Sequence, residues 1–303
     1  MPTYTDCDPD HPPVPLTRVL RWALLDRLRG RRHVSPPGEP APQARPDLKL
    51  IHTPSERPRL TWLGHSAFLL QVAGRAILLD PQLNRRIFSI KRHGKPGLKI
   101  SELPPIDLIL VSHAHYDHLD SWTVKQLPKS STVVVPLGLG DFFRRRGYRG
   151  VNELGWWDDF DLGPLRVHLV PARHWANRTP WDQNTTLWGG FVIEAGGYRI
   201  FHAGDTAAGP HFKEIGRRFP GIDLALLPIG AYEPAWFMEY HHMNPDQAIA
   251  AFEQLGARRF VPMHWGTFQL TDESLRAPID RLHRSWRVNH ELFELAVGQS
   301  RSI

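Results

Sequence analysis

The chain holds a single cysteine, Cys7, in 303 residues. No internal disulfide framework and no thiolate zinc site can be built from it, which fits a reducing, cytoplasmic setting. No internal repeat stands out, and a signal peptide is not expected, since the start is acidic and rich in proline rather than basic and then apolar. The helical stretch at 16–32 is too short and too charged to span a bilayer.

What is present describes a soluble globular chain: 41% hydrophobic and 22% charged residues, with length enough for a large core and one or two domains. Lys and Arg (37) exceed Asp and Glu (31), for a net charge of +6. That balance favours anionic partners such as phosphate esters, nucleic acid or an acidic membrane surface. No Arg/Lys pattern interleaved with aromatics marks a nucleic-acid groove, so nucleic acid is not the expected partner.

Residues 1–57 carry prolines at 9, 12, 13, 15, 36, 37, 40, 42 and 46 and read as an extension, not a second core. Inside it, 16–32 has an apolar side around Val19, Leu20, Ala23 and Leu24 among many arginines. Such a helix docks either on the domain or a partner subunit, or lies in a membrane interface.

Three β-type runs follow at 60–63, 68–72 and 76–80, separated by short Gly-containing turns, the pattern of an antiparallel meander. His65 sits in the first turn, where a supporting role suits it better than ligation. Asp80 ends a strand before Pro81, either near the metal loop or as a plain strand-end cap. Residues 84–99 form a basic loop, either simply solvated or meeting an anionic headgroup. Further strands alternate with helices at 121–127, 246–255 and 274–286, which predicts a layered α/β fold.

The rest of the chain is organised around Ser-His-Ala-His-Tyr-Asp-His-Leu-Asp at 112–120, which closes an apolar strand at 106–111. In extended chain His113 and His115 point to one side, and a turn brings Asp117 and His118 round to a second position. Two ligand sets on one loop predict two metals. Nitrogen with carboxylate oxygen suits zinc best, ahead of manganese or iron.

This pattern resembles the His-x-His-x-Asp-His signature of metallo-β-lactamase-fold hydrolases. The resemblance implies an α/β fold, a four-layer αββα sandwich over residues 58–303 behind the proline-rich extension, and further ligands downstream. His174 stands just past a strand at 165–170, Asp205 on a Gly turn after another apolar strand, and His264 at the end of the run at 259–263. The implied assignment is His113, His115 and His174 on one Zn2+, Asp117, His118 and His264 on the other, with Asp205 and a hydroxide bridging. His168 is read as an ordinary strand histidine, and Asp120 as orienting a ligand imidazole.

Thr-Trp-Leu-Gly-His at 61–65, Pro-Ile-Gly-Ala-Tyr-Glu-Pro at 228–234, Trp-Phe-Met at 236–238 and His-Trp-Gly-Thr-Phe at 264–268 are similar, in a likeness running from about residue 59 almost to the C-terminus, to the N-acylphosphatidylethanolamine-hydrolysing phospholipase D family. That likeness implies a zinc phosphodiesterase releasing an N-acylethanolamine and phosphatidic acid. It also implies a homodimer and a peripheral membrane habit. Asp117, Asp205 and His242 are then the catalytic candidates, with Trp236, Phe237 and His242 near the substrate and His242 facing its phosphate. Tyr116 either touches substrate or packs. Trp175, Trp181, Trp188, Trp236 and Phe237 are candidates for an acyl channel, Trp188 equally for the core. His241 stands where the animal enzymes have glutamine, and Met243-Asn244 where they have Val-Asp, which bears on acyl and headgroup preference. A lactonase or a nuclease of the same fold is the alternative.

Overall fold

The runs after residue 58 form β1 (Arg59–Gly64), β2 (Ala67–Val72) and β3 (Arg75–Leu79). They pair antiparallel, as their tight turns require. The coordinates are a computed structural model that describes residues 3–7, 17–18, 21–26, 28–30 and 32–303. Along β2 the side chains alternate between two hydrophobic clusters: Phe68, Leu70 and Val72 enter one, Ala67 and Leu69 the other. A strand buried on both faces must lie inside a layered structure.

A small hairpin, β4 (Arg86–Ile87) and β5 (Ile90–Lys91), follows. Then β6 (Leu108–Leu110), β7 (Thr132–Pro136) and β8 (Val151–Leu154) add to β3, all in parallel register. The second sheet takes β9 (Asp159–Asp161), β10 (Leu165–Val170), β11 (Gly190–Ala195), β12 (Tyr198–His202), β13 (Leu224–Pro228), β14 (Arg259–Met263) and β15 (Glu291–Leu292), in order β15-β14-β13-β12-β11-β10-β9. Its β12, β13 and β14 run parallel. The chain returns to close the first sheet with β16 (Ser300–Ser302) beside β1.

Seven α-helices have described bounds: α1 (Leu48–Ile51), α2 (Ser121–Gln126), α3 (Gly140–Arg144), α4 (His211–Arg218), α5 (Ala235–Met238), α6 (Pro245–Leu255) and α7 (Ala277–Ser285). Val124 of α2 and Phe143 of α3 share a cluster with Leu69, Leu78 and Ile109 on the outer face of the first sheet. Phe212 of α4, Phe252 of α6 and Leu282 of α7 pack in the other cluster, with residues of β13. The result is the expected αββα sandwich. Each fully buried Phe or Leu contributes on the order of 1.5–3 kcal/mol, so the two clusters carry most of the stability.

The expected helix at 16–32 is in part a π-helical turn, Arg21–Asp26. Leu24, placed on its apolar side by the sequence pattern, is 58% exposed. Leu16, Val19 and Leu20, the side chain of Ala23 and four of the prolines lie outside the described residues. Among the described residues Trp22 contacts the body: its Nε1–H donates to Asp272 (3.0 Å) and its ring meets Phe237 at 5.5 Å, while Arg18 lies over the Trp236 ring. Arg32 stacks on Trp22 and donates to Asp272 at 2.7 Å. Further along, Ala41 and Ile51 are buried in the core.

Candidate metal centre

Parallel strands present their carboxyl ends at one edge of the sandwich, the place where α/β sheets collect functional loops. The loop after β6 carries His113, His115, Asp117 and His118; His174 follows β10, Asp205 follows β12, and His264 follows β14. The structure brings all seven together. His113, His115 and His174 form one group, and Asp117, His118, His264 and His65 a second, with the ligating atoms of each group within 4.8 Å of one another. Asp205 sits between them. Its Oδ2 lies 3.1 Å from Nε2 of both His118 and His264, 3.9 Å from Nε2 of His113 and His174, and 4.0 Å from His242 Nδ1.

The imidazoles are oriented from behind. His118 donates its Nδ1 proton to Asp80 Oδ2 at 2.7 Å. Ser112 Oγ donates to the same oxygen at 2.7 Å and therefore accepts from His113 Nδ1 at 2.9 Å. His174 donates from Nδ1 to the carbonyl of His241 at 2.9 Å. For His113 and His174 the other ring nitrogen is left with its lone pair facing the cluster, while Nε2 of His118 faces Asp205 Oδ2 at 3.1 Å. His65 Nε2 lies 3.0 Å from Asp117 Oδ2, where it can steady that carboxylate or join the second group. His65, Asp80 and His264 all hold positive φ, at 58°, 40° and 62°. Backbone kept in that region without glycine costs free energy and persists where the surroundings impose it.

Burial pushes the pKa of His113, His115 and His174 down, helped by neighbouring imidazoles, with His115 at about 4. These rings are neutral, as ligands must be. For His264 burial works the same way, but Asp205 and Asp117 outweigh it and raise the group to about 9. His118 is likewise raised, against burial, by Asp205, Asp117 and Asp80. Burial alone would raise Asp117 and Asp205; their imidazole neighbours hold both well below the usual carboxylate range.

Nε2 of His113, His115 and His118, Nδ1 of His242 and Oδ1 of Asp205 are buried with no hydrogen-bond partner. An unpaired buried polar atom costs about 1–3 kcal/mol. Several converging on one point are what metal cations would satisfy, and imidazole nitrogen with carboxylate oxygen is a fitting donor set. Cys7, the only thiol, is held protonated by burial.

Around this cluster, His242 is buried and its pKa is pushed down to about 3 by burial. Tyr116 donates to the Arg178 carbonyl at 2.6 Å and is packed between Phe88 and the Arg178 guanidinium. Trp175 meets His115 at 4.7 Å, and Trp236 and Phe237 lie on α5. Trp188 is core: it is buried and donates to the Ala172 carbonyl. Trp181 is 89% exposed and lines no enclosed channel. His168 is a strand residue facing Glu194.

Asp120 does not orient an imidazole. Its carboxylate caps α2, accepting from the Thr123 N–H and Oγ at 2.7 Å each. A carboxylate one residue before a helix is the preferred N-cap, and that local use prevails here. Asp80 takes the orienting place. Ser112 carried no sequence signal beyond its position before His113. Nor did Arg178, which donates to the carbonyls of Ala114 and Leu119 and so ties down both ends of the metal loop. Gly230 could have been suspected only as a glycine: a Cβ there would meet the His264 carbonyl oxygen at 2.1 Å.

Residues 75–265 match the model of the Beta-lactamase superfamily domain. The N-acyl-phosphatidylethanolamine-hydrolyzing phospholipase D 1 of Caenorhabditis elegans is 36% identical over 241 residues, 73% of this chain and 68% of that protein. A protein named as a metal-dependent hydrolase from Opitutus terrae is 35% identical over 214 residues, 69% of this chain and 85% of its own length. Among solved structures, a metallo hydrolase of Ignicoccus hospitalis superposes with a TM-score of 0.62 at 22% identity, covering 81% of this chain and 98% of that one.

Proposed function

The chain belongs to the metallo-β-lactamase superfamily as a metal-dependent hydrolase, and from that premise we propose that it holds two zinc ions and hydrolyses the phosphodiester of N-acylphosphatidylethanolamine-type lipids. The observation that carries the two-metal part is Asp205: one carboxylate within 4.0 Å of imidazoles from both groups, its second oxygen unpaired. His113, His115 and His174 would hold one ion and Asp117, His118 and His264 the other, with Asp205 shared. Bound zinc supplies a water acidic enough to give hydroxide near pH 7 and a positive field for the phosphoryl oxygens.

The chain's own residues do the rest. Asp80, Ser112 and the His241 carbonyl keep the imidazoles in the required tautomers, and the neutral ring of His242 offers a hydrogen bond to a phosphate without adding charge. Attack of water at phosphorus breaks the bond to the ethanolamine oxygen, which leaves as the N-acylethanolamine, and phosphatidic acid keeps the new oxygen. Tyr116, Trp236 and Phe237 form the rim proposed to meet the lipid. The similar C. elegans protein, by its name, acts on this lipid, and the His241 and Met243-Asn244 differences bear on which acyl chains and headgroups are preferred.

The proposal extends to peripheral membrane contact and a homodimer. Among the described residues no helix is long and apolar enough to cross a membrane. Phe88 at the tip of the β4–β5 hairpin is 72% exposed beside Tyr116, with Arg85, Arg86 and Lys91 exposed next to it. An aromatic tip flanked by cations suits an anionic bilayer. The homodimer rests on the family likeness and is checked by light scattering.

Hydrolysis in 18O-water tests the chemistry. The label is expected in the phosphate of phosphatidic acid and absent from the N-acylethanolamine. Label in the N-acylethanolamine, or cleavage confined to a lactone, would overturn the reading.

A further inference from the structure

Just past the site, residues 271–273 place two buried acidic side chains back to back. Glu273 Oε1 accepts from the N–H groups of Ala231 (2.6 Å) and Tyr232 (3.1 Å), and Oε2 accepts from the N–H of Glu233 (3.1 Å) and the Thr271 hydroxyl (2.6 Å). Among the described residues no basic side chain pairs with it; three backbone amides and one hydroxyl carry its charge. Charge-assisted bonds of this kind are the stronger class, and four on one carboxylate fix the loop that accepts it.

The neighbouring Asp272 faces the other way. It accepts from Trp22 and Arg32, its carbonyl takes the Ser35 N–H at 2.8 Å, and its own N–H donates to the Glu233 carbonyl at 3.2 Å. Loop 231–233 is thus pinned on its inner side by Glu273, while the N-terminal segment is pinned outside by Asp272.

What that loop controls lies directly after it. Residue 234 leads into α5, which carries Trp236 and Phe237, and the N–H groups of His241 and His242 close back on the Met238 carbonyl, each at 2.9 Å. The His241 carbonyl then orients His174, and His242 Nδ1 stands 4.0 Å from Asp205. Before the loop, Gly230 packs its backbone on the carbonyl of His264. One short segment therefore touches three groups of the cluster.

We propose that Glu273 is a positioning residue for the hydrolytic site: by holding the amides of Ala231, Tyr232 and Glu233 it sets where α5 delivers the His241 carbonyl and the His242 ring. It touches neither metal nor substrate. This rests on the cluster being the hydrolytic centre, and not on the lipid being its substrate.

The test uses the full, zinc-loaded chain. In Glu273→Gln the carboxamide is neutral and can no longer accept at both ends, so the loop loses at least one strong acceptor while the shape is kept. Amide hydrogen exchange in peptides covering 229–243 is expected to speed up on the order of tenfold, with peptides over 108–120 unchanged. Zinc content stays at the wild-type level, and kcat on bis(p-nitrophenyl) phosphate falls about tenfold with KM changed much less. Thr271→Val, which removes one donor only, is expected to show the same local pattern more weakly and serves if the Gln variant does not fold. Unchanged exchange at 229–243, a rise spread evenly over the chain, or local loosening with full kcat would overturn the proposal. A wild type that cleaves no diester would sink the hydrolytic reading, and the exchange comparison would still decide whether Glu273 holds this loop.

Discussion

Asp80 Oδ2 lies 2.7 Å from His118 Nδ1, and the same oxygen takes the hydroxyl proton of Ser112, so that one carboxylate orients His118 directly and His113 through a serine. Both imidazoles belong to the metal loop, one to each ligand group. Asp80 also accepts the Ser112 N–H at 2.7 Å, which fixes the start of that loop.

The first prediction concerns Asp80→Asn. Asp80 accepts from three donors with two oxygens, and the amide has only one accepting oxygen, so its NH2 must face the Ser112 N–H or His118 Nδ1; affinity for zinc should therefore fall about 10–100-fold, the usual cost of losing such a partner. Competition against a chelating dye measures it. Wild-type affinity would show that the orientation does not matter.

Arg178 spans the metal loop from outside, donating to the carbonyls of Ala114 (2.6 Å) and Leu119 (2.8 Å) while its plane covers Tyr116. Arg178→Ala leaves these carbonyls without a charged donor and is expected to cost about 2–4 kcal/mol in urea unfolding. Both bonds leave one guanidinium nitrogen, so Arg178→Lys is expected to recover part of the loss but not the stacking on the Tyr116 ring, which an ammonium cannot reproduce. Full recovery by lysine would show that the stacking contributes nothing.

The pH prediction follows from His264 and His118. In the metal-free chain the carboxylates raise His264 to about 9 and His118 also upward, both from an ordinary 6.5. A raised folded-state pKa stabilises the metal-free fold fully below about 6.5, and that stabilisation is lost as pH rises through about 9. Zinc needs the same nitrogens unprotonated, so loading near pH 7 should release about two protons, and affinity should climb with pH up to about 9. Calorimetry in buffers of different ionisation enthalpy counts the protons. No release near pH 7 would contradict the charge state assigned here.

Membrane contact is expected to depend on the rim and not on the metal loop. Arg86→Glu or Lys91→Glu should lower partitioning to phosphatidylserine vesicles several-fold, at about 1 kcal/mol per basic residue near the surface, and leave hydrolysis of a soluble diester unchanged. Both side chains are exposed on the hairpin. Equal partitioning of variant and wild type would remove the hairpin from the account.

The loop of His113, His115, Asp117 and His118 was legible because four ligand-type residues fall on one short stretch, and His174, Asp205 and His264 because each ends an apolar run and matches a family position. The three short β-type runs likewise marked the antiparallel meander of β1, β2 and β3. What lay outside the sequence was the choice between equivalent local uses. Asp80 and Asp120 are both carboxylates beside the cluster; only the fold decided that one faces an imidazole and the other caps α2. Glu273 acts across about forty residues on a loop of backbone amides, and backbone donors leave no residue-type signal. In the N-terminal stretch Trp22 reaches Asp272, a partner so far along the chain that no local pattern announces it.

The most direct measurement is a zinc titration of the metal-stripped chain, following phosphatidic acid release from N-acylphosphatidylethanolamine in detergent micelles, with bis(p-nitrophenyl) phosphate in parallel. The account predicts that lipid cleavage appears only with zinc and saturates at about two equivalents per chain, with Asp205→Ala inactive throughout. Saturation at one equivalent, or cleavage of the small diester with none of the lipid, would contradict it.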